Sequence, residues 1–183
     1  IEQYEIQDVP IPAITESQCL IRVRSCTVCA TDVKYFKGLQ TRDWPSPMGH
    51  EITGIVDEAG SEVEGFRKGD RVLSRIVWGG FAEFVQSDAD MLVHLPANVG
   101  FEEGAIAQLL PIAVRGAELA VRPGNTVFVN GLGAAGLLCV QVAKAYGASR
   151  VLAADFFEMK RNAALEVGAD LAIDPDAEDV VER

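Results

Sequence analysis

Two groups of residues in this 183-residue chain have types and spacings that could do chemistry. The first is Cys29, His50 and Glu51: a thiol, an imidazole and a carboxyl. Zinc takes all three donor types, and catalytic zinc sites combine three protein ligands with an open position. Cys29 and His50 stand 21 positions apart (50 − 29), too far for one helix face or one tight metal knuckle. The residues alone leave two readings open: a shared metal, or a buried thiol and an unrelated loop histidine.

The second group lies in "VFVNGLGAAG", where Gly131, Gly133 and Gly136 have G-x-G-x-x-G spacing. The first glycine permits a tight turn, the second lets backbone approach a pyrophosphate, and the third lets helix and strand pack closely. Gly131, Leu132, Gly133, Ala134, Ala135 and Gly136 are thus the candidate phosphate loop. Asp155 ends the next strand, 24 residues after Gly131 (155 − 131), suitably placed to accept hydrogen bonds from a ribose hydroxyl. Lys160, five residues on, could reach the same ribose. An acid there repels a 2′-phosphate, so the pattern favours NAD over NADP. The competing reading is a glycine-rich turn of another α/β protein, with Asp155 merely capping a helix. Strand, loop, helix and acid together favour dinucleotide binding.

The elements that must position these groups follow from patterning. Short β-type runs at 20–24, 52–59, 71–77 and 81–86, separated by Gly and Pro, suggest a small barrel or sandwich. From Glu102 the pattern turns helical, with Glu102 and Glu103 in the first turn and Pro111 kinking or dividing the helix. This helix is read as the connector between two domains. Beyond it, "TVFVNG", "RVLAADF" and "ADLAID" read as strands alternating with helices in "AAGLLCVQVAKAYG" and "EMKRNAALEVG", which predicts a parallel sheet.

Composition bounds the function. Hydrophobic residues make up 49% of the chain with no charge-free run long enough to span a bilayer, so a soluble globular protein without membrane partners is expected. With 16 Lys and Arg against 27 Asp and Glu, the net charge of −11 argues against nucleic-acid binding. Four cysteines and no signal-peptide pattern favour a reducing, cytoplasmic location. The chain opens at Ile1 inside a strand-like alternation and stops at Arg183 after a third α/β strand, so it reads as cut at both ends.

"CATD", then "GHEITGIV", "GDRV", "GGFAEF" and "GLGAAG" with Asp155 together resemble the zinc-dependent medium-chain dehydrogenase/reductase family, the alcohol, polyol and threonine dehydrogenase group. The resemblance covers nearly the whole chain, in order. It implies a GroES-like β-barrel catalytic domain with its connecting helix over residues 1–120. The N-terminal half of a Rossmann doubly wound parallel sheet would follow over 121–183. It also implies that Cys29, His50 and Glu51 hold one catalytic zinc, that Thr31 relays a proton, and that Asp32 hydrogen-bonds the zinc-binding histidine. The expected function is hydride transfer between NAD and a small secondary alcohol or polyol-like substrate, or its carbonyl. A homo-oligomer, dimer or tetramer, is expected of the intact protein. The competitors are a zinc-free reductase of quinone or enoyl type and a catalytically inactive nucleotide-binding relative.

The chain departs from the family in two places. "GDRVLSRIVWGGFAEF" carries no cysteine cluster, so no structural zinc is expected. Gln108 falls where polyol dehydrogenases of the family carry a glutamate ligand, and a neutral amide is a weak zinc ligand. Either Glu51 completes the site, or zinc binds weakly with extra water, or no metal binds. The first is favoured. Cys26 is read as a packing residue, Cys19 as lying on a strand edge, Cys139 as a small core residue, and His94 as a surface or satisfied histidine at a strand end. Trp44 and Trp78 either line a substrate cleft or pack in the core or at the rim.

Overall fold

Apolar residues alternate with polar ones along the first strands, and each alternation buries one face of a pleated sheet. The computed structural model describes residues 4–40, 47–75 and 78–178. The chain forms two compact units, Ile1–Gln108 and Leu109–Arg183.

The first unit holds β1 (Gln18–Thr27), α1 (Ala30–Phe36), β2 (Glu51–Ala59), β3 (Arg71–Ser74), β4 (Phe84–Asp88), β5 (Leu92–His94) and α2 (Phe101–Ile106). The strands form one antiparallel sheet in the order β4-β1-β2-β3-β5. Its core is built from Ile21, Ile52, Val56 and Val72, with Val85 and Leu92 beside them. Cys19 belongs to this core and not to an edge: it pairs with Ala59 on one side and Ser87 on the other, and is fully buried. The run at 81–86 enters the sheet only at Phe84, because Gly80 and Phe81 spend their N–H groups on the carbonyls of Gly49 and Met48. The run at 71–77 is strand only to Ser74, and residues 76 and 77 lie outside the described residues. His94 ends β5, donating one hydrogen bond from Nε2 to the Gly65 carbonyl (2.9 Å) and stacking on Phe66.

The helical stretch after Gly100 divides as its proline requires. A 3-10 turn at Ala107–Leu109 follows α2, and α3 (Leu110–Ala120) begins with Pro111 in its first turn. There the missing N–H has no intrahelical acceptor to lose. Ala113 and Ala117 of α3 are buried in one cluster with Val140 and Ala143, so this helix packs within the second unit, ahead of residue 121.

That unit continues with β6 (Thr126–Asn130), α4 (Ala134–Ala145), β7 (Arg150–Ala154), α5 (Glu158–Glu166) and β8 (Leu171–Ile173). The three strands are parallel in the order β6-β7-β8. Val140, Val151, Ala153 and Ala164 are fully buried, and the small alanines let helices approach the sheet closely. Cys139 packs against this core, as its place in the helix suggested. No helix among the described residues is long and apolar enough to cross a membrane.

Candidate functional site

Cys29 leaves β1 and caps the N-terminus of α1, while His50 and Glu51 stand at the start of β2. One ligand atom from each of Cys29, His50 and Glu51 lies within 4.8 Å of the others. The carboxylate of Asp32, only 1% exposed, ties the two segments together. Its Oδ2 accepts the Cys29 N–H (2.8 Å) and its Oδ1 accepts the Gly49 N–H (3.2 Å). Oδ1 also lies 3.5 Å from His50 Nδ1, which is buried and has no hydrogen-bond partner among the described residues. The approach is thus electrostatic, longer than a hydrogen bond.

The turn before His50 is built for glycine. Gly49 has φ +87°, and a Cβ there would come within 2.6 Å of the Phe81 ring and 2.8 Å of Cys26 Sγ. Gly80, opposite, is equally crowded: its Cβ would meet Ile52 at 2.4 Å and Cys26 Sγ at 2.7 Å. The "GGF" of the sequence is therefore the surface against which "GHE" is seated. Cys26 fills the space between, and burial pushes its thiol up to about 11, so it stays protonated and packs.

Around the three donors, Thr27 Oγ1 donates a hydrogen bond to Glu51 Oε2, and Glu51 is 4% exposed. The Cys29 thiol donates to Thr31 Oγ1 at 3.6 Å. Trp78 meets His50 edge-on with ring centroids 5.1 Å apart, and Tyr35 meets Trp78 in the same manner. Trp44 lies outside the described residues. The thiol, the imidazole and the buried carboxyl, with ligand atoms this close together, match the donor types that zinc takes.

The glycine loop follows the division of labour that its spacing implies. Gly131 has φ +89°, a backbone state that other residues rarely adopt. A Cβ on Gly136 would lie 1.9 Å from the Gly131 carbonyl oxygen, so only glycine lets α4 start this close to the end of β6. Gly133, at the N-cap of α4, would point a Cβ into open space, leaving its backbone accessible to an anion. Ala134 and Ala135 begin the helix, and the Leu132 side chain is buried beneath the loop. At the carboxyl ends of β6 and β7 a cleft of about 350 Å³ is lined by Phe128, Asn130, Gly131, Asp155 and Phe156.

Asp155 does more here than either expectation for it. Its Oδ2 accepts the Leu132 N–H (2.9 Å) and lies 3.4 Å from Lys160 Nζ, and its Oδ1 accepts the Phe157 N–H (3.0 Å). Burial pushes this carboxyl up, but the Phe157 and Leu132 N–H groups together with Lys160 outweigh it and hold it below its ordinary value. The same acid that lines the cleft therefore fixes the glycine loop. Arg161 is committed elsewhere, donating to the carbonyls of Asp155 and Phe156 and pairing with Asp174 at 2.8 Å.

The alcohol dehydrogenase GroES-like domain model matches residues 15–110, and the zinc-binding dehydrogenase model matches residues 134–183. The chain belongs to the medium-chain dehydrogenase/reductase family. This family member is 30% identical to sorbitol dehydrogenase of Bombyx mori over 90% of its own length and 57% of that protein. It superposes on alcohol dehydrogenase TADH from Thermus sp. ATN1 with a TM-score of 0.91 at 25% identity, covering 100% of this chain and 63% of the other. A candidate zinc-binding dehydrogenase from Sinorhizobium meliloti 1021, solved bound to NADP, matches with a TM-score of 0.89 at 32% identity over 96% of this chain and 60% of that one. This chain thus spans less than two thirds of the length of these relatives.

In this family member the GroES-like unit carries the cysteine–histidine–glutamate cluster and the Rossmann-like unit carries the glycine loop. Thr27, Gly49, Cys26 and Tyr35 were not singled out as parts of the site by sequence. Thr27 lies two positions before Cys29, yet only pairing with Glu51 across the sheet shows its place.

Proposed function

We propose that the protein is a zinc-dependent oxidoreductase that transfers hydride between NAD and a small secondary alcohol or polyol-like substrate, in the cytoplasm. The observation that carries this reading is the convergence of Cys29, His50 and Glu51 donors within 4.8 Å around one face of a histidine backed by Asp32. Polyol and alcohol dehydrogenases among the relatives support the substrate class.

Cys29, His50 and Glu51 would hold one zinc ion. The Asp32 carboxylate, 3.5 Å from Nδ1, would draw that nitrogen towards it and leave Nε2 for the ion. Zinc, when bound, supplies the Lewis acidity that lowers an alcohol's pKa towards neutrality. Thr31, in contact with Cys29 Sγ, would take the substrate's hydroxyl proton and pass it outward. Gln108 lies in the 3-10 turn Ala107–Leu109 and offers only a neutral amide, so Glu51 completes the ligand set in this proposal.

On the other unit, Gly131–Gly136 would seat the cofactor's pyrophosphate at the start of α4. Asp155 keeps lone pairs on Oδ1 for a ribose hydroxyl. NAD is preferred because Asp155 repels a 2′-phosphate, Arg161 is already paired, and Lys160 is neutralised by Asp155. The Sinorhizobium meliloti neighbour holds NADP, which makes the choice a direct comparison to run.

The test is NADH formation from a panel of secondary alcohols and polyols, with and without chelator, alongside metal analysis of wild type and Gln108→Glu. Alcohol-dependent NADH formation that chelator abolishes and zinc restores supports the reading. A wild-type protein without stoichiometric zinc, joined to a Gln108→Glu variant that gains it, refutes the metal assignment. NADH binding without turnover and without zinc would instead identify a nucleotide-binding relative that has lost the chemistry.

A further inference from the structure

We infer that Thr27 is a positioning residue for Glu51, whose hydroxyl holds the carboxylate in the orientation that serves the metal. The inference rests on the zinc reading of the cluster and concerns how this chain completes its ligand set.

Thr27 closes β1 and Glu51 opens β2, and the two residues are directly paired in the antiparallel register. The Thr27 hydroxyl donates to Glu51 Oε2 and so fixes one oxygen of the carboxylate. Glu51 is almost fully buried, so its carboxylate depends on a protein donor in place of water. Other nearby polar groups are already engaged: Cys26 Sγ donates to the Thr27 carbonyl, and the Asp32 carboxylate is spent on Cys29 and Gly49. A threonine in a strand is stiff at its first side-chain torsion, so its hydroxyl stays where the sheet puts it. A glutamate has three soft torsions, and fixing them in advance removes an ordering cost from metal binding. Since position 108 is an amide, the geometry of Glu51 decides whether a third protein ligand, the second anionic one, is available.

The test compares Thr27→Val, close in shape but lacking the hydroxyl, with Thr27→Ser, which keeps it. Zinc affinity is read by competition with a chromophoric chelator, and the Co(II)-substituted absorption spectrum is recorded for each variant. Far-UV circular dichroism and melting report folding, and Thr27→Ala stands in for the valine variant should that fail to fold. Thr27→Val is expected to weaken zinc by about 10- to 100-fold, the range typical of partners that orient metal ligands. Thr27→Ser retains most of the affinity. The valine change made in a Glu51→Gln background adds no further loss, because the residue it acts through is already gone. The inference is overturned if Thr27→Val binds zinc like wild type with an unchanged Co(II) spectrum. It is equally overturned if the loss persists in the Glu51→Gln background, which marks a structural role only. A wild-type protein that binds neither ion overturns the zinc reading itself, and this inference with it.

Discussion

Asp32 joins two segments 17 residues apart, and its carboxylate satisfies both the Cys29 and Gly49 N–H groups. Asp32→Ala leaves those donors without an acceptor. The expected cost is about 1–3 kcal/mol for each donor that water does not reach, measured by urea denaturation of the metal-free protein. In the proposed zinc site, affinity should fall at least about tenfold in the same variant, because the carboxylate beside His50 Nδ1 is removed. Gly49→Ala is a sharper perturbation, since it combines a positive φ with contacts inside van der Waals distance of Phe81 and Cys26. A stability loss of about 1–3 kcal/mol is expected, and melting temperatures read it. Residue types announced the donor set, because thiol, imidazole and carboxyl are the side chains zinc takes. They did not announce Thr27 or Gly49, whose roles arise from neighbours distant in the chain.

At the scale of elements, the turn from β6 into α4 separates two uses of glycine. Gly136→Ala puts a methyl against the Gly131 carbonyl, so the strand–helix junction must open and the second unit loses stability. Gly133→Ala meets nothing, so the fold should survive while NADH affinity drops where the backbone must approach phosphate. Denaturation curves paired with NADH fluorescence titrations separate the two effects; equal stability loss in both variants contradicts the assignment. This loop was legible from spacing because Gly131 and Gly136 answer to local constraints, a positive φ and a close carbonyl. The late start of β4 was not, because Phe81 looks strand-like until the carbonyls of Met48 and Gly49 claim the backbone of Gly80 and Phe81. The helix break was legible only approximately: Pro111 announced it, but the 3-10 turn precedes the proline.

For the whole molecule, the chain is an antiparallel sheet and a parallel one, each with its own core. The parallel unit carries two carboxylates that folding makes more acidic. Asp170 is held below its ordinary value by Lys144 (2.6 Å) and the Val151 N–H, and Asp155 by the bonds described above. The folded state therefore binds fewer protons than the unfolded state over this range. Their contribution to stability is complete above the unfolded carboxyl value of about 3.9 and is lost as pH falls through the lower folded values. Melting temperature should decline as pH drops below about 4, and Asp170→Asn should flatten that decline by removing one linked group. An unchanged acid slope in Asp170→Asn counts against the assignment.

The sequence by itself determined which donors exist, where the glycine loop lies, which acid follows the second parallel strand, and that strands give way to an α/β unit. Each of these depends on residue type, on local spacing or on a backbone state only glycine tolerates, and all are written in consecutive residues. Only the tertiary structure decided that Cys29 and His50 meet, that Asp32 serves both of their segments, that Asp155 grips the loop it follows, and that Thr27 faces Glu51. Those relations depend on strand register and on hydrogen bonds between segments far apart in the chain. Local patterning cannot encode them, because many pairings bury the same apolar face while only one brings these polar atoms together.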